Sequence, residues 1–248
     1  MVHEPGYILA RPDAHRCGIR VVRVLIGLVV MSAMIAVAGC GIPQFVFLAP
    51  PVLGEVTALP PSLTFSHSPD NDTDSFLGYE LYYKLYDPNT AETAFAGDRS
   101  AIRSASAATV VTTLGARNYR RVHAPGSDLK PVLRVTIAER GQAFTIALAF
   151  QQESPTGGVA TWSAGTVREI PLVRDQRFLQ PPTPVGFTAS ALTPATYPDL
   201  PARPEPDAGH FLMGLAVVSY GIDFVAGTFG ELYSTAIVPE HLFFMRYE

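Results

Sequence analysis

Cysteine is scarce in this chain: Cys17 and Cys40 are the only two in 248 residues. That count excludes a disulfide-stapled scaffold, and a chain of this length can bury a core without one. Lysine is equally scarce, with Lys84 and Lys130 alone, and charged residues make up only 16% of the chain, with a net charge of −4. After residue 40 no basic cluster exists beyond Arg117, Arg120 and Arg121, so the electrostatic footprint of a nucleic-acid binder is missing there. The histidines after residue 40 are His67, His123, His210 and His241; none falls at a zinc-ligand spacing. There is no Gly-x-Ser-x-Gly elbow and no Gly-rich phosphate loop leading into a helix, hence no cofactor-binding pattern. No internal repeat or heptad is visible. The longest apolar stretch, Val24 to Gly39, has 16 residues, short of the ~20 needed to span hydrocarbon.

That stretch is the most informative part of the chain. It follows Arg20-Val21-Val22-Arg23 and ends in Val37-Ala38-Gly39-Cys40. A basic flank, a short apolar run and a small-residue exit form the pattern of a secretory signal peptide. The last four residues resemble the lipobox of bacterial lipoproteins, in which the cysteine receives diacylglycerol and becomes the mature N-terminus. The resemblance implies lipidation at Cys40, loss of residues 1–39, and stable membrane attachment through two or three acyl chains. Two long chains at ~0.8 kcal/mol per buried CH₂ outweigh weak surface contacts. It also implies a bacterial envelope location, facing the periplasm or the surface. The outer membrane is favoured over the inner, because Gly41 stands where Asp would mark inner-membrane retention. An uncleaved anchor and a buried core helix are the competing readings; Pro43 and Pro50 interrupt any extension of the run through Leu48. The flank before Arg16 is long and contains Glu4 and Asp13, which places the natural start closer to Arg16.

The mature chain then has 209 residues (248 − 39), with 14 basic residues (18 minus Arg11, Arg16, Arg20 and Arg23) and 20 acidic ones (22 minus Glu4 and Asp13), a net of −6. It has no free thiol. Its patterning is that of strands. Val52–Val56 and Ser62–His67 read as short strands, and Gly78–Tyr86 as the clearest one, closed by Asp87-Pro88-Asn89-Thr90. Alternation directs Tyr79, Leu81, Tyr83 and Leu85 to a core and Glu80, Tyr82 and Lys84 to solvent. Residues 91–130 read as a partly helical insertion. In it Ala107–Leu114 is a helix stopped by Gly115, with Asp98 and Ser106 as N-caps, or a strand on the β-branched run Thr109–Thr113. Leu133–Ile137 and Phe144–Phe150 alternate around Glu139-Arg140-Gly141-Gln142, the pattern of a hairpin. Ala160–Ser163 and Thr166–Leu172 form a second hairpin across Ala164-Gly165. Residues 180–209 are Pro-rich, a surface excursion that Phe187, Leu192, Tyr197 and Leu200 hold against the domain. Phe211–Tyr220, Leu232–Val238 and His241–Tyr247 supply the last strands.

Two stretches resemble a fibronectin type III domain: Phe76-Leu77-Gly78-Tyr79-Glu80-Leu81-Tyr82-Tyr83-Lys84-Leu85-Tyr86, similar to its third strand, and Val217–Asp223 followed by Gly230–Ala236, similar to its last hairpin. The resemblance implies an Ig-like, fibronectin III-like antiparallel sandwich, mainly β, spanning residues 40–248. Such domains run to about 100 residues. Here 130 residues (87 to 216) separate the two stretches, so the resemblance implies an insertion between them. The family's core Trp of the second strand has no counterpart, since Trp162 lies elsewhere. A lipobox followed by a "GYELYYK"-type strand is also similar to spirochaete envelope lipoproteins of unassigned role, and that similarity implies no activity.

Few residues could carry chemistry. Asp70, Asp72 and Asp74 place carboxylates at alternate positions, a candidate Ca²⁺ loop. The sixth position lacks Gly, however, and Leu81 stands at the twelfth, so an exposed turn is the plainer reading. Tyr79, Tyr82, Tyr83 and Tyr86 could form a binding ladder or simply pack. Arg117, Tyr119, Arg120 and Arg121 could meet an anionic partner or form a solvated face. The resulting expectation is a non-enzymatic, lipid-anchored envelope protein acting as an interaction or structural module. Its partners are the membrane, through its N-terminal lipid, and an envelope protein; its working surface is loops and sheet edges. A ligand-binding lipoprotein requires an aromatic-lined cavity against the insertion, for a small molecule or glycan. A hydrolase built on the insertion requires His converging with Ser or carboxylates.

Overall fold

The computed structural model describes residues 46–150, 157–163, 167–174, 185–192, 197–201, 209–224 and 229–246. Cys40 and the run Val24–Gly39 lie outside the described residues. Strands alternate along the chain: β1 (Val52–Thr57), β2 (Ser62–Ser66), β3 (Phe76–Tyr86), β4 (Arg120–Arg121), β5 (Leu133–Arg134), β6 (Thr145–Ala149), β7 (Val159–Trp162), β8 (Glu169–Pro171), β9 (His210–Asp223), β10 (Gly230–Tyr233) and β11 (Phe243–Arg246). Among the described residues three α-helices interrupt them: α1 (Ala91–Ser104), α2 (Val110–Ala116) and α3 (Ile137–Arg140). The strands form two sheets, ordered β1-β2-β6-β7-β8 and β10-β9-β3-β4, with β11 also on β9 and β5 also on β3. All pairings are antiparallel. The protein is mainly β, a two-sheet antiparallel sandwich.

The sandwich forms because the inward faces of both sheets are apolar at period two. Leu63 and Phe65 of β2, Ile146 and Leu148 of β6 and Trp162 of β7 meet Tyr79, Leu81, Tyr83 and Leu85 of β3, Met213, Leu215 and Val217 of β9, and Phe243 of β11. These side chains are buried, and burying a side chain of this size contributes roughly 1.5–3 kcal/mol. The β3–β9 pair is the spine, in register from Gly78↔Tyr220 to Tyr86↔Leu212. β9 turns back into β10 with Asp223 opposite Gly230. Gly78 sits at φ 149°, and a Cβ there would lie 2.1 Å from the Leu133 carbonyl oxygen. Only glycine lets β5 approach β3 so closely.

The outward face of β3 is not solvated. Tyr82 and Tyr86, with Ala216 and Val218 of β9, form a second core with Ala91, Phe95 and Ile102 of α1 and Val110 and Leu114 of α2. The helices thus make a third layer on the second sheet, and Glu80 and Tyr82 are buried rather than exposed. Strict alternation of charge and Tyr along β3 hides this, because Tyr suits a buried and a wet face alike. Helix α1 begins and ends outside the Ala107–Leu114 segment. Asp98 is a buried residue inside it and not a cap.

The hairpin expected across Glu139–Gln142 does not form. Leu133–Arg134 joins the second sheet on β3, Thr145–Ala149 joins the first on β2, and between them the chain makes α3. The crossing is fixed by Glu139, whose Oε2 accepts the Thr136 N–H at 2.8 Å, and by Arg140, which is buried and donates from Nη1 to the Thr73 carbonyl at 3.0 Å. The β7–β8 pairing does form, with Thr161 opposite Glu169.

The described parts of the Pro-rich stretch lie on the sandwich. Phe187 and Leu192 are in the main core. Arg174, 1% exposed, donates from Nη1 to Asp199 Oδ2 at 3.2 Å and from Nη2 to the Ala191 carbonyl, and stacks on Tyr197. Asp199 also accepts the Tyr83 hydroxyl at 2.6 Å.

Candidate functional site

Besides the Arg174–Asp199–Tyr83 cluster, titratable side chains collect at three buried places, each touching β3. The first lies on the outward face of β3 beyond the helices. Glu80 is fully buried, with Arg121 Nε of β4 3.4 Å from its Oε2. Burial pushes its carboxyl up to about 7, against the pull of the Arg121 and Lys130 charges and the Val132 backbone. Arg121 Nη2 donates to Asp128 Oδ1 at 2.9 Å and to the Asp128 carbonyl at 2.7 Å, and His123 Nδ1 lies 3.2 Å from the same Oδ1. Outside this pair a half-exposed ring closes over it. Lys130 Nζ donates to Glu231 Oε1 at 2.9 Å and to Tyr233 at 3.0 Å, while Tyr220 donates to Glu231 at 3.3 Å. Burial and the Glu231 charge push the Tyr220 phenol up to about 12. Burial acts to raise the Glu231 carboxyl, but Lys130 and Tyr233 outweigh it and hold the group below its usual range.

The second place lies beneath α1. Asp98 Oδ2 accepts Lys84 Nζ at 2.6 Å and the Tyr86 hydroxyl at 2.9 Å, with Arg117 3.5 Å from Oδ1. The Tyr86 and Tyr119 hydroxyls are 3.0 Å apart, and burial drives both phenols far above their ordinary range. This group rivets the helical layer to the sheet. On the outer side of α1 runs a groove of ≈460 Å³ lined by Ala96, Arg99, Ser100, Arg103 and Ser104. Glu240 pairs with both arginines, at 2.5 Å from Arg99 and 3.9 Å from Arg103. No aromatic ring is among these lining residues.

The third place is His67 at the end of β2. Its Nε2 lies 2.6 Å from the Arg140 carbonyl and its Nδ1 2.6 Å from the Tyr79 hydroxyl. A carbonyl can only accept, so Nε2 carries the proton and Nδ1 accepts from Tyr79. The ring stacks on Phe144 at 4.6 Å. Burial lowers its pKa, with the Arg140 carbonyl opposing.

The candidate Ca²⁺ carboxylates do not converge. Asp70 sits in a single 3₁₀ turn, Pro69–Asn71, Asp72 follows it, and Asp74 is solvent-exposed with Arg140 Nη1 3.7 Å away. Among the described residues no three His, Cys, Asp or Glu side chains are placed to hold a metal ion. The four tyrosines of β3 are all buried and present no ladder. The basic-aromatic cluster is dispersed: Arg117 turns to Asp98, Arg120 donates to the Pro198 carbonyl at 3.2 Å, Arg121 serves Glu80, and Tyr119 is buried. Cys40, the expected lipidation site, lies outside the described residues. Sequence reasoning misses Glu80, Asp98 and Arg174 as buried charges. The only signal for them is that each needs a partner distant in sequence. No helix among the described residues is long and apolar enough to cross a membrane. No family model, curated protein or solved structure matches the chain.

Proposed function

We propose that this is a lipid-anchored protein of the bacterial envelope, held by acyl chains on Cys40. Its fibronectin III-like sandwich serves as a non-enzymatic interaction module for an envelope partner. The observation that carries the reading is the order Arg20–Arg23, Val24–Gly39, Cys40, with the sandwich beginning at Val46, six residues after the cysteine. A globule tethered that closely to a processed cysteine is what an anchored module requires. The sandwich itself supports the family likeness. The strand similar to the family's third lies beside β9, and β9–β10 is the hairpin similar to its last.

The chemistry of the buried groups favours a module over the two alternatives. Glu80, His67 and Asp98 are sealed beneath other side chains, so they stabilise and position the layers and offer no surface to a substrate. The α1 groove has arginines already paired with Glu240, and its described lining residues include none of the aromatic rings that a glycan or small-molecule pocket uses. Labelling cells with radioactive palmitate tests the proposal. Label is expected in the wild-type chain and absent from Cys40→Ser, with the wild type in the membrane fraction. An unlabelled wild-type chain overturns it.

A further inference from the structure

Of the nine described large apolar side chains that remain exposed, five gather at one end of the sandwich, while Val52, Leu53, Leu59 and Leu129 lie outside that group. Phe47 is 78% exposed, Ile137 76%, Val167 66%, Phe229 68% and Phe224 48%. The strand registers place them together. Ala49 is held by Asn71 and Ser219, and Leu48 lies beside Gly221, so Phe47 continues toward the end of β9. Phe224 and Phe229 stand just past the Asp223↔Gly230 pair that closes β9 and β10, their rings 6.0 Å apart edge to face. Val135 bonds to Leu77 at the start of β3, which lies opposite Gly221, and Ile137 is the next turn on. Arg168, next to Val167, donates to the Arg134 carbonyl and to Glu139 of α3. Leu59, also exposed, is at the far end, where Ala58 meets Phe244 opposite Leu212. Nine residues of β9 separate that level from Gly221, about 30 Å.

We infer that this apolar end is a membrane-docking face that rests in the interfacial layer of the bilayer. The inference rests on the lipid-anchor reading, and the chain itself argues for the occupant. Polypeptide enters the sandwich at this end, and only six residue-to-residue steps, through five intervening residues, separate Val46 from Cys40. Fully extended, they reach at most ~20 Å. A lipid at Cys40 therefore keeps the end beside Phe47 within that distance of the headgroups, while the end bearing Leu59 points away. Isolated exposed apolar residues are ordinary; a clustered set at the tethered end is the signature of an interaction surface. The charge at this end is mixed. Asp70, Asp72 and Asp74 are exposed beside it, as is Arg134. Docking is driven by apolar insertion of a few ångströms, not by attraction to anionic lipid.

The test uses the mature, full-length lipidated protein in phosphatidylcholine vesicles, with and without brominated acyl chains. Trp162 is buried at 1% exposure and gives a constant background. New tryptophans are placed by Phe229→Trp and Ile137→Trp at the docking end and by Leu59→Trp at the far end, all surface positions. The expected result is a blue shift and about two-fold quenching at 229 and 137 and none at 59, equally in neutral vesicles and in vesicles with added anionic lipid. Protein that floats with the vesicles but shows no quenching at 229 and 137 overturns the docking face. So does a blue shift without quenching, which means a second copy of the chain covers it, and so does equal quenching at 59. Protein that fails to float sinks the anchor reading instead. Titration to high lipid then decides the face separately: quenching at 229 supports it, and none overturns it.

Discussion

Glu80 shows how a single side chain ties this fold to pH. Its carboxyl titrates near 7 when folded and near 4.3 in an unfolded chain. The folded state therefore holds the proton more tightly. The stability this group contributes is fully present below the unfolded value and is lost as pH rises through about 7. Glu80→Gln has no proton to lose. We expect urea unfolding to find the variant more stable than wild type by about 3 kcal/mol at pH 8 and close to it at pH 4. A Glu80→Gln advantage over wild type that is the same at both pH values contradicts the assignment. Arg174 behaves differently, because its charge is matched by Asp199 with both side chains nearly inaccessible. Arg174→Met leaves Asp199 buried and unpaired, and a loss of about 3–5 kcal/mol in the same assay is expected. Neither residue announces itself in the sequence. Glu80 between Tyr79 and Leu81, and Arg174 between Val173 and Asp175, read as surface until their distant partners are known.

At the scale of elements, period-two patterning made β2, β3, β6 and β9 readable, because half-buried strands must alternate. It failed where another element covers the second face. Tyr82 and Lys84 look solvent-directed on β3 until α1 is laid over them, and nothing local in Ala91–Ser104 says that it will be. The missed α3 had a local signal. Thr136-Ile137-Ala138-Glu139 is a Thr-x-x-Glu capping box, and it outranks the Gly141 turn that suggested a hairpin. The α1 layer depends on Gly214 of β9. A Cβ there would sit 2.8 Å from the Tyr119 hydroxyl and 3.2 Å from Phe95 Cε2. Gly214→Val should lift the helices and cost about 1–3 kcal/mol, read as a lower Tm. Gly97→Ala on the open side of the same helix has nothing within 4 Å of the new Cβ and should raise stability by about 0.5–1 kcal/mol.

For the whole molecule, the sandwich class follows from many short apolar strands separated by Gly- and Pro-bearing turns. The proposed attachment rests on the sequence of the segment before Val46. The candidate sites were less legible because they are assembled across the sheets. The carboxylates of residues 70–74, adjacent in sequence, do not converge, whereas Glu80 and Arg121, forty-one positions apart (121 − 80), do. The central claim concerns what happens at one sulfur. Intact-mass spectrometry of the protein extracted from its native envelope tests it most directly. The account predicts a chain that starts at Cys40, has 209 residues (248 − 39) and carries the added mass of diacylglycerol. An unmodified chain that retains residues 1–39 contradicts it.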